Sequence, residues 1–170
     1  MARTAWSIRV ELIGGRGQYF WPRPGRVFAA TRSHTFRQLA DAINNAFCRW
    51  DRAHLDQFVL ADGRRIGQPE FDDFDEGILD AARTKLSTLT KGEQFAYEFD
   101  LGDGWTHLCT VGDEPIDPLD ELGISPREPL SYFGWGAMPD QYGRRWDGDD
   151  GEGDVPPDLG TGELPPLLQW

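Results

Sequence analysis

The segment over residues 93–111 constrains the fold most strongly, because two alternating runs flank a turn sequence within it. Phe95, Tyr97 and Phe99 alternate with smaller or polar residues, which is the period of a β-strand with one buried face. The Gly-Asp-Gly sequence at 102–104 is typical of a tight turn. Alternation then resumes up to residue 111, so the sequence predicts a central β-hairpin over residues 93–111.

The register of this hairpin is predicted from its turn, with Gly102 and Asp103 as the two loop residues. That register gives four cross-strand pairs: Tyr97 with Leu108, Phe99 with Thr106, Glu98 with His107, and Asp100 with Trp105. One face of the hairpin is then aromatic, and the other carries the ionisable side chains. Because a slip of one residue would move every side chain of a strand to the opposite face, this grouping depends on the turn.

The composition predicts one domain with a substantial core. The chain has 170 residues and 12% aromatic side chains, which suits a single hydrophobic core. Cys48 and Cys109 stand in apolar surroundings without metal-ligand spacing, which predicts buried thiols rather than a disulfide framework or a zinc ribbon. No signal-peptide pattern is present, and no segment approaches the roughly 20 apolar residues of a membrane helix. We therefore expect a cytoplasmic bacterial protein without a membrane contact.

Charge is spread unevenly along the chain. Residues 1–65 have a net charge of +6, residues 66–145 have −11, and residues 146–170 have −7. The positive charge of the first part is all arginine, which could contact phosphate or could pair with the acidic second half. A total charge of −12 repels polyanions at long range, which favours internal pairing.

A helix is predicted over residues 36–48. Thr35 and Gln38 have the spacing of a capping box at its start. Four apolar residues then fall on one helical stripe: Phe36, Leu39, Ile43 and Phe47. The stripe indicates a helix that packs against a sheet.

Other segments predict further strands and loops. Residues 6–12 alternate as a strand with one buried face, and residues 58–60 predict a strand that ends in a hairpin turn. Residues 78–91 are compatible with a helix, or with a short strand at 83–86 before a turn capped by a serine. Prolines and glycine over 113–127 predict a long irregular segment.

The chain is predicted to consist of a domain over residues 1–145 and an acidic tail over residues 146–170. Glycine, proline and acidic residues dominate 147–163, and such a composition buries too little apolar surface to offset its ordering entropy. The segment is therefore either a tail or a docked arm. Its apolar end, residues 164–170, either packs back onto the domain or serves as a short linear partner motif.

Four sequence blocks carry a family resemblance: residues 20–23, 35–50, 54–58 and 95–107. The last block is the most specific, since it matches a Tyr-x-Tyr-Asp-Phe-Gly-Asp-x-Trp-x-His pattern nearly residue for residue. Together the blocks resemble the plasmid pRiA4b ORF-3-like family, some of whose members are described as passenger proteins of insertion elements. The resemblance implies a single α+β domain with a largely antiparallel sheet, which includes the central hairpin and has helices packed on it. It implies no reaction and no cofactor.

The chain departs from the family pattern at three positions. Pro22 stands where the family has arginine, Ala40 where the helix has histidine, and Cys48 where the family has glycine. Residues 139–143 resemble a later Pro-Glu-Asp-Cys-Gly-Gly block of the family only weakly.

One group of polar residues is the candidate functional cluster. Its members lie in the hairpin or just before the 58–60 strand: Asp100, Asp103, Trp105, His107, Glu98 and His54. Carboxylates with an imidazole can hold a divalent metal or move a proton, and Asp100, Asp103 and His107 are the metal candidates.

The alternative role for these side chains is structural. Asp103 then satisfies turn amides, Asp100 accepts the indole N–H of Trp105, and His107 pairs with Glu98 across the strands. His54 would be a capping or bridging group, and His34 is predicted to lie exposed on the surface.

A second candidate surface is Arg-rich and aromatic. Its residues could contact nucleic acid or a partner protein: Arg23, Arg26, Trp21 and Trp50. The alternative for both tryptophans is packing in the core or at a sheet edge.

Three functions remain open, and none of them requires a covalent catalyst. No Gly-x-Ser-x-Gly or His-Glu-x-x-His sequence occurs, so neither an α/β-hydrolase nor a zincin is indicated. The first hypothesis is a non-enzymatic binding module with a protein partner, linked to mobile elements. The second is a metal-dependent hydrolase or metal-binding domain, and the third is a nucleic-acid-binding accessory protein. Cofactors other than a divalent metal are not predicted, and the oligomeric state stays open.

Overall fold

The computed structural model describes residues 4–71, 77–144 and 149. Its strands are β1 (Ala5–Gly15), β2 (Gln18–Tyr19), β3 (Gly25–Thr31), β4 (Asp56–Val59), β5 (Arg65–Gly67), β6 (Leu79–Asp80), β7 (Gln94–Phe99), β8 (Trp105–Val111) and β9 (Leu130–Trp135). Its α-helices are α1 (Phe36–Ala46) and α2 (Pro118–Leu122), and single 3-10 turns span Pro69–Phe71 and Leu86–Thr88.

The strands form one largely antiparallel sheet in the order β6-β5-β4-β7-β8-β1-β3-β9, and β2 pairs with the end of β1. Among the described strands, only β5 and β6 pair in parallel. The two helices and the mostly antiparallel sheet confirm the α+β fold with a single core.

β1 is central, because β3 and β8 pair with its two edges. Alternate side chains of β1 are buried: Trp6, Ile8, Val10 and Leu12. This confirms the strand predicted over residues 6–12. Beyond it β1 continues to Gly15 through a shift in register after Leu12, which brings the end of the strand beside the hairpin turn.

α1 confirms the predicted helix and its cap. The hydroxyl of Thr35 accepts from Gln38 N, and the side-chain Oε1 of Gln38 accepts from Thr35 N, which completes the capping box. The helix ends at Ala46, two residues before the predicted end. Its buried stripe packs on the sheet, where the rings of Phe36 and Phe58 meet edge to face at 5.1 Å.

The hairpin is present, but the predicted register is wrong by one residue. Phe99 lies opposite Trp105 and Tyr97 lies opposite His107. The connection is a five-residue loop over 100–104 rather than a two-residue turn, and it begins with Asp100 in the left-handed region at φ 59°. The slip turns Trp105 and His107 towards the core, together with the aromatic face of β7. The predicted separation of aromatic and ionisable faces is therefore wrong.

The remaining segments match their predictions in part. β4 and its hairpin turn into β5 confirm the strand near 58–60. In residues 78–91 the short strand lies at Leu79–Asp80, before the predicted 83–86, and the helix does not form. The irregular segment over 113–127 includes α2, which Asp117 caps at its start. β9, which follows it, was not predicted.

The core buries half of the aromatic side chains of the described residues, and Cys109 lies among them as a buried free thiol. Cys48 is also free but only half-buried, so its predicted full burial is wrong. The predicted tail at 146–170 lies outside the described residues except for Asp149, which is buried. Within the described residues, no helix combines the length and apolarity needed to cross a membrane.

Candidate functional site

His107 lies inside the core rather than in an open site. Its Nδ1 donates to Tyr97 O at 3.0 Å, and its Nε2 accepts from the Arg49 guanidinium at 3.0 Å. Burial first, and the neighbouring Arg49 charge second, lower the pKa of His107 well below its ordinary value. Both ring nitrogens are occupied, and the predicted pairing of His107 with Glu98 is wrong.

Asp100 takes the role that was predicted for Asp103. One carboxylate oxygen of Asp100 accepts from the backbone N–H groups of Gly102 and Asp103, at 3.1 and 3.2 Å. The carboxylate of Asp103 instead lies 3.6 Å from the Arg16 guanidinium. The other oxygen of Asp100 faces Nδ1 of His54 at 3.4 Å. Asp100 and Asp103 therefore do not converge with His107.

The predicted bond between Asp100 and the indole of Trp105 is also wrong. The indole N–H of Trp105 is buried and has no acceptor among the described residues. A buried donor without a partner is costly, and this one lies in the family's most specific block.

His54 bridges several segments, as predicted. Its Nε2 is 2.5 Å from the hydroxyl of Tyr142, and this hydroxyl donates to Asp51 at 2.8 Å. Burial and the Asp51 carboxylate raise the pKa of Tyr142 to about 12, so the phenol keeps its proton at neutral pH. Glu98 is not part of this cluster, because its carboxylate faces the Gln57 amide at 3.4 Å.

No metal centre is assembled from these side chains. Within residues 4–71, 77–144 and 149, no three His, Cys, Asp or Glu side chains are grouped so that they could hold a metal ion. Asp100 turns towards His54, Asp103 turns towards Arg16, and His107 is enclosed with Arg49.

Of the four residues of the second candidate surface, which are Arg23, Arg26, Trp21 and Trp50, Arg26 does not lie on the surface. Arg26 is fully buried, and its guanidinium donates to Gly25 O and Trp135 O at 2.7 and 2.8 Å. The prediction that Arg26 contacts nucleic acid or a partner protein is wrong, because a fully buried side chain is inaccessible to a ligand. Trp21 is 84% exposed, and the Arg23 guanidinium lies 5.6 Å from its ring centre.

Trp50 is also partly exposed, and it belongs to a different stack. The Arg144 guanidinium lies 4.7 Å from the ring centre of Trp50, and the ring of Tyr142 meets it edge to face. Tyr142 also contacts His54, so this stack connects Trp50 with the cluster around His54.

A groove of about 780 Å³ lies beside the hairpin turn, and we call it the aromatic groove. Tyr19 and Trp21 at its rim are 89% and 84% exposed. Its floor includes Trp105, whose ring is parallel to that of Phe20 at 6.2 Å. The connection from β2 to β3 forms one wall, and residues 136–144 form the other.

Gln141 fixes the second wall of the aromatic groove. Its side-chain oxygen accepts from the backbone N–H groups of Trp50 and Asp51, at 3.0 and 2.9 Å. Its amide nitrogen donates to Asp51 O at 2.9 Å. Sequence reasoning missed Gln141 and Tyr142 as site residues. The one signal was the weak echo of a family block at 139–143.

The family model of plasmid pRiA4b ORF-3-like proteins matches residues 7–123. The chain belongs to this family. The pRiA4b ORF-3-like match includes the hairpin and Trp105, whereas the groove wall at 136–144 lies beyond the matched residues.

A solved structure has the same fold. It is a protein of unknown function from Methanosarcina mazei Go1, with a TM-score of 0.67 and 22% sequence identity. The similarity covers 84% of this chain and 76% of the archaeal chain. No protein with a curated description matches this pRiA4b ORF-3-like chain.

Proposed function

We propose that this pRiA4b ORF-3-like protein is a non-enzymatic binding module, and that its aromatic groove holds an extended, proline-containing segment of a partner protein. The observation that carries the proposal is the pair of exposed rings, Tyr19 and Trp21, at the rim of the groove. Large exposed aromatic side chains beside a concave surface are typical of recognition sites.

The charges of the groove favour a peptide over a polyanion. Arg144 lies 2.9 Å from Asp140, and Arg16 lies 3.6 Å from Asp103, so both cations have a carboxylate partner. The lining of the groove is therefore dominated by aromatic rings, and carboxylates offset the charge of its two arginines. Proline rings pack flat on aromatic side chains, and a polyproline II segment is already extended before it binds.

The floor of the groove offers a hydrogen-bond donor to such a segment. A polyproline II backbone has unpaired carbonyl groups, and the Trp105 indole N–H has no acceptor among the described residues. Because this N–H is screened from solvent, a shift of the flanking side chains would have to precede the bond. A peptide carbonyl would then remove the cost of the unpaired donor.

The polar cluster supports binding rather than catalysis. Tyr142 is a neutral phenol at pH 7, and its pKa is raised rather than lowered, so nothing activates it as a nucleophile. The His107 ring has both nitrogens engaged within the core. We infer that His54, Tyr142 and Asp51 hold the groove wall in place.

The cellular setting is part of the same proposal. Some family members are described as passengers of insertion elements, which supports placing this module in the bacterial cytoplasm, in association with a mobile element. The acidic residues over 146–170 would supply a second contact for the partner.

The experiment selects proline-containing dodecapeptides by display against the purified full chain, and measures the affinity of the best binder by fluorescence anisotropy. Trp21→Ser and Tyr19→Ser should each weaken binding about tenfold, because each removes a ring from the rim. Phe71→Ser is the matched control, since this ring is 66% exposed but lies in the 3-10 turn after β5, outside the lining of the groove. Equal affinities for the rim variants and the unmodified protein would refute the proposal.

A second candidate function is single-stranded nucleic-acid binding. Two rings have a guanidinium over them, Trp21 with Arg23 at 5.6 Å and Trp50 with Arg144 at 4.7 Å, and such rings can stack on bases. A labelled oligonucleotide should then bind with an affinity that falls steeply as salt rises, and Trp21→Ser should weaken it. Absence of binding at low salt would exclude this alternative.

A further inference from the structure

We propose that a second cavity binds a small molecule that carries a phosphate group. This cavity has a volume of about 870 Å³ and lies where the end of β3, the start of α1 and the segment around α2 meet. We call it the polar pocket. Its polar lining includes Thr4, Thr31, Arg32, Ser33, Gln38 and Arg127. It shares no lining residue with the aromatic groove, so this inference is independent of the proposed function.

Two arginines give the polar pocket a preference for anions. Neither Arg32 nor Arg127 makes an ion pair with a carboxylate of the described residues, whereas Arg37 and Arg64 do. Both side chains are exposed, so their charges face solvent in the unbound protein and are accessible to an anionic ligand. Guanidinium groups match phosphate with paired, charge-assisted hydrogen bonds.

Arg32 is exposed, and its guanidinium stacks on a ring of the core. Its guanidinium lies 4.6 Å from the ring centre of Trp6, which is buried. The indole N–H of Trp6 donates to Leu86 O at 3.1 Å, so the ring cannot turn freely. An arginine held over a fixed ring has less side-chain entropy to lose when it binds.

The neutral side chains of the pocket add further donors. The Gln38 side-chain oxygen is occupied by Thr35 N at 2.9 Å, which leaves its NH₂ group for a ligand. The hydroxyls of Thr31 and Ser33 bond to each other at 3.0 Å, so only one of their two hydrogens is used. These groups add neutral hydrogen-bond donors to the two guanidinium groups.

Asp117 is the carboxylate in the pocket lining, and it opposes an anion. One of its oxygens accepts from Leu119 N and Asp120 N at 3.0 and 3.4 Å, which caps α2 and offsets part of its charge. The lining has two guanidinium groups and one carboxylate, and Glu128, whose charge acts on His34 beside the pocket, offsets part of the remaining positive charge.

His34 makes the pocket a preformed site rather than a gap between loops. It is 5% exposed, so the prediction that it lies on the surface is wrong. Its Nδ1 accepts from Thr31 N at 3.0 Å, and its ring also interacts with the backbone at Pro126 and Arg127. Burial lowers the pKa of His34, so the ring is neutral at pH 7 and ties the two walls together without adding charge.

The size of the pocket sets the class of ligand. Cavities of roughly 300–1,000 Å³ are typical of small-molecule sites, and a lone phosphate would fill only part of this one. Pro118, Leu119 and Pro126 supply an apolar side to the cavity. A phosphate monoester with a compact organic body, such as a sugar phosphate, therefore fits the lining better than free phosphate.

The test is calorimetric titration of the full chain with inorganic phosphate, ribose 5-phosphate and ribose. We expect ribose 5-phosphate to bind more tightly than phosphate and ribose not to bind. Arg32→Gln and Arg127→Gln should each weaken the phosphate monoester about tenfold. Asp117→Asn should tighten it, because asparagine keeps the helix cap and removes the opposing charge.

Arg83→Gln is the matched control, since this side chain is 89% exposed and is absent from the pocket lining. Circular dichroism of each variant verifies that it folds. Absence of phosphate binding, or an equal loss on Arg83→Gln, would overturn the proposal as non-specific charge attraction. Phosphate binding no weaker than ribose 5-phosphate binding would overturn the assignment of an organic ligand. Trp21→Ser, which alters the aromatic groove, should leave these titrations unchanged.

Discussion

The Arg49 guanidinium donates to Nε2 of His107 at 3.0 Å within the core of the domain. Arg49 makes no ion pair with a carboxylate of the described residues, and the ring centre of Trp105 lies 4.7 Å from its guanidinium. Burial lowers the pKa of Arg49 to about 10, so the group stays charged at neutral pH. A buried cation beside an imidazole requires that the imidazole be neutral.

Stability should therefore fall as the pH is lowered below the ordinary pKa of histidine. The pKa of His107 is depressed in the fold, so the unfolded chain binds more protons than the folded chain below about pH 6.5. The contribution of His107 to the free energy of unfolding should decrease by up to about 1.4 kcal/mol for each pH unit below that point. His34, whose pKa is also lowered, adds to the same slope. Urea denaturation at pH 7.5, 6.5 and 5.5 measures this change.

The variant His107→Gln should reduce the slope between pH 6.5 and 5.5, even if it also lowers stability at pH 7.5. Gln can still accept a hydrogen bond from Arg49 but does not titrate. His34→Gln tests the other contribution separately. An unchanged slope in both variants would show that neither histidine causes the acid sensitivity.

A second prediction concerns the hydroxyl of Tyr97, which is fully buried. It donates to Asp56 at 2.7 Å, and the Arg37 guanidinium donates to the same carboxylate at 2.6 and 3.1 Å. Tyr97→Phe should cost about 1.5–3 kcal/mol, since it removes a bond to a charged acceptor. Chemical denaturation of Tyr97→Phe, Arg37→Gln and the double variant should give a coupling energy above 0.5 kcal/mol, about the level seen for residues that share a network. Simple additivity would contradict a shared network.

A third prediction follows from the contact between Gly15 and Trp105. A Cβ at position 15 would lie 2.3 Å from Trp105 Cε3, and the indole is held between Phe20 and Arg49. Gly15→Ala should cost about 1–3 kcal/mol, because the ring cannot move without strain. Gly102→Ala is the control, since its added Cβ would meet only Asp100 Oδ1 at 3.4 Å. Thermal unfolding and near-ultraviolet circular dichroism measure the two effects.

The elements that the sequence predicted well are those with a local signal. α1 has a capping box at Thr35 and an apolar stripe along one side. In β1, buried apolar residues alternate with more exposed residues. The hairpin register failed because it depends on the turn, where Asp100 adopts a left-handed conformation that asparagine, aspartate and glycine share. β9 was missed because its sequence, residues 130–135, has no alternation of apolar and polar residues, and its side chains show no alternating burial either.

The site was less predictable than the fold, because it depends on contacts between distant segments. Asp100 and His54 were named together as candidates, and the structure does bring them within 3.4 Å. The hydroxyl of Tyr142 completes that cluster from a segment 88 positions away from His54. The weak resemblance of residues 139–143 to a family block was the one sequence signal for this segment, and it does not indicate a contact with His54. His107 was misplaced for the same reason as the register, since one residue of slip moved it into the core.

The last prediction links stability to the aromatic groove through Gln141, which is 1% exposed. Gln141→Ala would leave the backbone groups of Trp50 and Asp51 without their partners, which should cost about 2–4 kcal/mol in the free energy of unfolding. Amide hydrogen exchange at Trp50 and Asp51 should accelerate, and peptide affinity in the groove should fall as its wall loosens. Gln94→Ala is the control, because Gln94 is exposed and makes only a 3.5 Å contact with Thr110. Accelerated exchange with unchanged peptide affinity would show that the wall over 136–144 is not part of the binding surface.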